Sequence, residues 1–174
     1  MSAPNANKLF ITREIGNWIR DLIKLHLATE LGVSAANGEI RFSDLMEVPI
    51  QLIKNMIPGV FISALDVPNK WGSVDGSDYI SDYRFRIVYA AALSTGEQLE
   101  TARMKGERIA DLLVENADME NPTVPGVYQS APIYCYVTGL EFKPDENDLV
   151  QSLNADYYAM AVNVTVQRHT FTDS

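Results

Sequence analysis

The chain has 174 residues, of which 47% are apolar and 21% charged, a composition typical of one soluble globular domain with a substantial core. Its net charge of −9 argues against a surface that binds nucleic acid by neutralising phosphates. The single cysteine, Cys135, excludes an intrachain disulfide and any multi-cysteine metal site, and its apolar surroundings in the sequence predict a buried thiol. We find neither a membrane-spanning apolar stretch nor a secretory signal, and therefore expect a protein made in a cytoplasm.

The first long element is an amphipathic helix. Residues 1–11 are expected to form a flexible arm. A helix is predicted over residues 12–31, with Thr12 as its N-cap and an end near Gly32. Its apolar residues recur every three or four positions: Ile15, Trp18, Ile19, Leu22, Ile23 and Leu25.

The next segment gives weaker signals. A short strand is possible at Ile40 and Phe42. Pro49 could open a second short helix over Ile50–Met56, although Val48–Ile53 also fits a strand. Val60–Val67 then predicts a strand. Pro68–Asp78 is predicted to be a loop because it is rich in Pro, Gly and Ser. We expect Trp71, within this loop, either to fold back on the core or to anchor in a neighbouring subunit.

Tyr79–Leu93 is the clearest strand signal in the chain. Alternate positions from Tyr83 are aromatic or β-branched and are expected to cover a core, whereas Arg84 and Arg86 between them should face water or a partner subunit. A second helix is predicted over residues 97–116. The small residues Ala102 and Gly106 on its apolar stripe should let it lie close to a sheet.

Two further strands are predicted at Pro132–Phe142 and Ala155–Phe171, after a loop over residues 116–130. Between them lies an acidic hairpin connection, residues 143–153, whose tip carries Asp145 and Glu146. These charges should prevent edge-to-edge pairing of neighbouring strands. The whole chain is predicted to be a single α+β domain: a mostly antiparallel four-stranded sheet with helices packed on one face.

Sequence motifs for catalysis or metal binding are missing. Gly72–Gly76 lacks the Lys-Ser/Thr and the following helix of a phosphate loop. The acidic residues Asp75, Asp78 and Asp82 lack the ligand order of a calcium loop. No nucleophile accompanies His26 or His169 in the sequence. We therefore expect no enzymatic activity, no cofactor and no metal.

Four segments carry a family resemblance: Pro58–Ile62, Tyr83–Ala92, Glu107–Asn116 and Ala159–Arg168. In their order and texture, the chain resembles the tail terminator, or tail completion, proteins of tailed bacteriophages, and more broadly the small head–tail joining proteins. The resemblance extends over about residues 10–171 and depends on element order rather than on an invariant motif. The segment 32–56 departs from the compact forms of that family.

The resemblance implies a structural virion protein of the phage tail that is assembled in the host cytoplasm. Such proteins form a hexameric ring on the tail tube, end its polymerisation and present a surface to the head connector protein; in contractile tails the end of the tail sheath is a further contact. It implies no sequence-specific nucleic acid and no membrane as partners. The residues expected at subunit or partner interfaces are Trp71, Arg84, Arg86, Asp145 and Glu146.

Two other classes of function stay open at this stage. One is a different virion part, such as a head-completion adaptor or a tube-like subunit, which would differ from a terminator by growing filaments instead of a discrete ring. The other is a small enzyme with a dispersed site, in which His26 or His169 would act as the base.

Overall fold

The computed structural model describes residues 11–33, 40–42, 56, 58–65, 69–72, 78–92, 97–117, 133–142 and 157–171. Our expectations for residues 1–10, 43–55, 118–130 and 143–153 lie outside these residues. In chain order, the elements are α1 (Ile11–Leu31), β1 (Ile40–Phe42), β2 (Gly59–Ala64), β3 (Asn69–Gly72), β4 (Asp78–Ala92), α2 (Glu97–Glu115), β5 (Ile133–Phe142) and β6 (Tyr157–Phe171).

The centre of the fold is an antiparallel ribbon of two 15-residue strands, β4 and β6. They pair along their full length, from Asp78 opposite Phe171 to Ala92 opposite Tyr157. Strand β5 extends the sheet beyond β6. The other edge of β4 is shared by β2, which pairs with its second half, and β3, which pairs with its beginning. The main strand order is therefore β1-β2-β4-β6-β5, with β3 beside β4.

The prediction of a mostly antiparallel four-stranded sheet is partly right. The chain is α+β, and β2, β4, β6 and β5 pair antiparallel as neighbours. Two short strands were not counted: β1, which pairs parallel to β2, and β3, which lies in the predicted loop Pro68–Asp78. The turn residues around β3 indicate a loop locally. Pairing with the exposed edge of the long strand β4 nevertheless gives these four residues backbone partners.

Helix α1 confirms the predicted amphipathic helix, with two corrections. It begins at Ile11, so Thr12 lies in the first turn instead of capping it. Leu25 is 77% exposed, because it lies two positions from the buried Ile23, about 200° around the helix. The chain leaves the helix at Gly32 with a φ of +68°, which glycine adopts without strain. The buried side of α1 is formed by Ile15, Trp18, Ile19, Ile23, Leu27 and Leu31.

Both helices pack on the same face of the sheet. The core combines the apolar sides of α1 and α2 with one face of the strands, including the predicted Tyr83, Phe85, Ile87 and Tyr89 of β4. We call this the helix face, and the opposite side of the sheet the outer face. Helix α2 approaches closely at Gly106, as predicted, because a Cβ at this position would overlap Cγ of Met160 on β6.

The thiol of Cys135 is buried on β5, as predicted, with 3% of the residue exposed. Burial disfavours the charged thiolate and raises the pKa of Cys135 to about 12. A thiol in this state behaves as a small apolar side chain rather than as a nucleophile.

We predict that Gly106→Val lowers the free energy of unfolding by about 1–3 kcal/mol, because the added side chain must displace Met160 or the helix. Denaturant unfolding measures this change. Met160→Ala in the same chain should recover part of the loss, and Gly139→Ala is a control, since a Cβ there has no neighbour closer than 3.9 Å. A full, additive loss in the double variant would contradict the contact.

We also predict that the buried thiol makes stability depend on pH above 9. The pKa of Cys135 is higher in the folded chain than its ordinary value of 9.0, so its contribution is fully present below pH 9 and is lost as the pH rises toward 12. The free energy of unfolding of the wild type, minus that of Cys135→Ala, should fall by up to about 1.4 kcal/mol between pH 9 and 10. A difference independent of pH would show that the thiol ionises freely in the folded chain.

Candidate functional site

The outer face carries the two arginines that the sequence placed at an interface. Arg84 and Arg86 occupy alternate positions of β4, opposite Thr165 and Asn163 of β6. Their side chains point away from both helices because their neighbours Phe85 and Ile87 face the core. Around them lies an open groove of about 250 Å³, the outer-face groove, which is lined by Leu65, Arg84, Phe85, Arg86, Thr138, Asn163, Val164 and Thr165.

Polar contacts join three strands along this groove. The Nε of Arg86 donates a hydrogen bond to Oδ1 of Asn163 at 3.3 Å, and its Nη2 lies 3.9 Å from Oε2 of Glu141. On β5 the register shifts between Val137 and Gly139, and Thr138 at this irregularity donates its hydroxyl to the backbone oxygen of Asn163 at 3.2 Å. Strands β4, β5 and β6 are thus cross-linked by side chains beneath an accessible surface.

Two exposed apolar side chains extend the surface around the groove. Leu65 follows β2, and its backbone N–H donates to the carbonyl of Arg84 at 2.9 Å. Tyr136 on β5 lies opposite Thr165. Leu65 is 41% exposed and Tyr136 is 49% exposed. This mixture of arginine, tyrosine and leucine is more typical of a contact surface than of a solvated sheet face.

Among the described residues, the accessible part of the outer face lies at one end of the sheet. Phe61, Val88 and Ala161 form a row across β2, β4 and β6, and all three are buried although they point away from the helices. The side of β6 that was predicted to be small and polar therefore has two different surroundings. Ala161 contributes to a second apolar patch, and Asn163 and Thr165 line the groove.

The structure brings together part of the predicted interface. Arg84 is exposed and Arg86 is half-buried in the same groove. Trp71 lies in β3 opposite Ile80, which corrects its assignment to a loop. Asp145 and Glu146 lie outside the described residues.

The histidines proposed for an enzyme site occur in different layers of the fold. His26 is exposed on α1, and His169 occupies the β6 position opposite Ile80. Of the acidic residues considered for calcium, Asp82 accepts a hydrogen bond from Nε2 of Gln167 at 3.2 Å, and Asp75 lies outside the described residues.

The sequence does not single out several residues in the groove or beside it: Leu65, Thr138 and Asn163 line the groove, and Tyr136 and Glu141 lie beside it. The alternation along β6 does show that Asn163 faces the polar side. The partnership of Asn163 with Arg86 depends on the register of two strands whose residues are 77 positions apart in the chain. That register is not visible in either strand alone.

Two sequence comparisons were made with known proteins. No protein-family model matches the chain, and no curated protein matches its sequence. Within the described ranges, no group of three or more His, Cys, Asp or Glu residues is placed to hold a metal ion. Neither of the helices described above is long and apolar enough to cross a membrane.

We predict that the hydrogen bond from Arg86 to Asn163 contributes more to stability than the ion pair between Arg86 and Glu141. Asn163→Ala should lower the free energy of unfolding by about 1 kcal/mol, because the half-buried Arg86 then loses an acceptor. Glu141→Gln should change it by less than about 0.5 kcal/mol, since this carboxylate is 49% exposed and lies 3.9 Å from the guanidinium. Chemical denaturation of the two variants decides the order, and the reverse order would assign the role to the ion pair.

Proposed function

We propose that this chain is a structural protein of a phage tail, which caps the tail tube as a ring, ends its polymerisation and provides the joint to the head connector. The observation that carries the proposal is the accessible end of the outer face. Both helices cover the helix face, while this end of the outer face presents the groove with Arg84 and Arg86, next to the exposed Tyr136. A surface of this composition is suited to contact with another subunit.

The segments that resemble tail terminator proteins coincide with the main layers of the fold. Pro58–Ile62 enters β2, Tyr83–Ala92 lies in β4, Glu107–Asn116 lies largely in α2 and Ala159–Arg168 lies in β6. The resemblance therefore concerns the central ribbon, its neighbouring strand and a covering helix together, instead of isolated stretches.

Charge also supports a contact between copies. The chain has 23 Asp and Glu residues against 14 Lys and Arg residues, so most of its charged surface is acidic. A groove that contains two guanidinium groups is complementary to that surface. In a closed ring each subunit uses two different patches, and an arginine-bearing groove on one copy meeting an acidic patch on the next satisfies this requirement.

The proposal is tested by the mass of the particle. Native mass spectrometry or mass photometry, on the protein alone and with tail tube protein, should detect a hexamer of six times 19.4 kDa, at least at the tube end. Open-ended filaments would instead indicate a tube-like subunit. A persistent monomer under both conditions would overturn the proposal.

Substitutions at the predicted interface test which surface the subunits use to form the ring. Arg84→Glu should prevent ring formation without a comparable loss of monomer stability. Arg103→Glu on α2 is the matched control, because the Arg103 side chain is 71% exposed and pairs with its helix neighbour Glu107 at 3.4 Å. Trp71→Ala should also weaken the ring more than the monomer. An equal fall in the melting temperature of the isolated monomer would show that Trp71 belongs to the core.

A further inference from the structure

One cross-strand pair on the helix face does not fit its apolar surroundings. Arg168 of β6 lies directly opposite Ser81 of β4. Arg168 is 7% exposed and Ser81 is 1% exposed. Residues paired in this way have Cβ atoms about 5 Å apart on the same side of the sheet. Two polar side chains are thus buried at directly paired positions on the same face.

Both side chains have a polar atom without a partner among the described residues. The Nε of Arg168 and the Oγ of Ser81 are buried, and no described residue forms a hydrogen bond with either atom. Buried polar atoms are normally paired, and leaving one unpaired costs stability. Two such atoms at directly paired positions, one of them on a guanidinium, indicate a position that is completed by a further group.

The sequence of β6 shows that an apolar residue would be the ordinary choice at this position. Val162, Val164 and Val166 precede Arg168 on the same face and are all buried. The next residue across the sheet is Ile133 of β5. Arg168 therefore interrupts an apolar face of the sheet.

We propose that Arg168 and Ser81 form a recessed anion site that binds one carboxylate group. The Nε of an arginine and one of its terminal nitrogens form a planar fork that matches the two oxygens of a carboxylate. The hydroxyl of Ser81 donates a further hydrogen bond to the same group. The carboxylate comes either from a free small anion or from an acidic side chain of a second copy of this chain. This inference does not depend on the proposed function.

The test is a titration with formate, the smallest carboxylate, in which chloride keeps the ionic strength constant. Above its dissociation constant, each tenfold increase in formate should raise the unfolding midpoint of the wild type by about 3–5 °C. Arg168→Met should abolish this rise. Arg103→Met is the control, since it removes the same charge from an exposed position and should keep the rise.

The source of the carboxylate is decided by measuring particle mass in the same samples. If a second copy supplies it, formate dissociates the wild-type assembly, and Arg168→Met lowers the mass whereas Arg103→Met does not. If the anion is free, the mass stays constant and only the midpoint moves. Dissociation by formate and a midpoint shift at constant mass both support the site. The midpoint shift supports it even where no ring forms.

Two milder variants keep the test decisive if Arg168→Met does not fold. Arg168→Lys retains the charge but loses the fork, and Ser81→Ala removes the hydroxyl. Each should lose most of the response that the wild type shows to formate. The proposal is overturned if these variants and Arg103→Met respond like the wild type in both midpoint and mass.

Discussion

The constraint on which the structure depends is the full-length pairing of β4 with β6. Because side chains alternate between the two faces, this one register decides what faces the helices and what faces away. It places Phe85 and Val164 together in the core, and Arg86 and Asn163 together in the groove. A slip of one residue would exchange the two faces. The apolar alternation of both strands therefore also fixes the positions of the polar groups.

The helices are held to the sheet, and to each other, by a polar contact at the edge of the core. The Nζ of Lys105 on α2 donates to the carbonyl of Leu31 and to the hydroxyl of Tyr89, each at 3.0 Å, and that hydroxyl lies 3.3 Å from the same carbonyl. Burial raises the pKa of Tyr89 to about 12 and lowers the pKa of Lys105. A cation at the end of α1 also complements its dipole. This contact joins the two helices and the sheet on the helix face, whereas the accessible groove lies on the outer face.

The sequence predicted features that depend on periodicity and missed features that depend on pairing. The core positions of β4 and α2 follow from periods of two and 3.6. Strand β3 was missed because its partner, the edge of β4, is not visible in its own turn-rich residues. The groove was predicted only in part, because the contact between Arg86 and Asn163 depends on the register between β4 and β6. Arg168 did give a signal, since it continues the buried valine positions of β6, but an arginine near the end of a strand is easily taken for a surface residue.

Arg86 on β4 and Arg168 on β6 differ in where their partners come from. Arg86 retains 22% of its side-chain exposure and finds Asn163 and Glu141 within the chain. Arg168 is nearly enclosed, and its Nε has no acceptor in the part of the chain that the structure describes. Whatever binds only to the folded chain stabilises it, so a carboxylate at Arg168 couples binding to folding. If that carboxylate belongs to a second copy, assembly raises the stability of each subunit. The groove cannot produce that coupling through Arg86, because Arg86 already has its partners in the single chain.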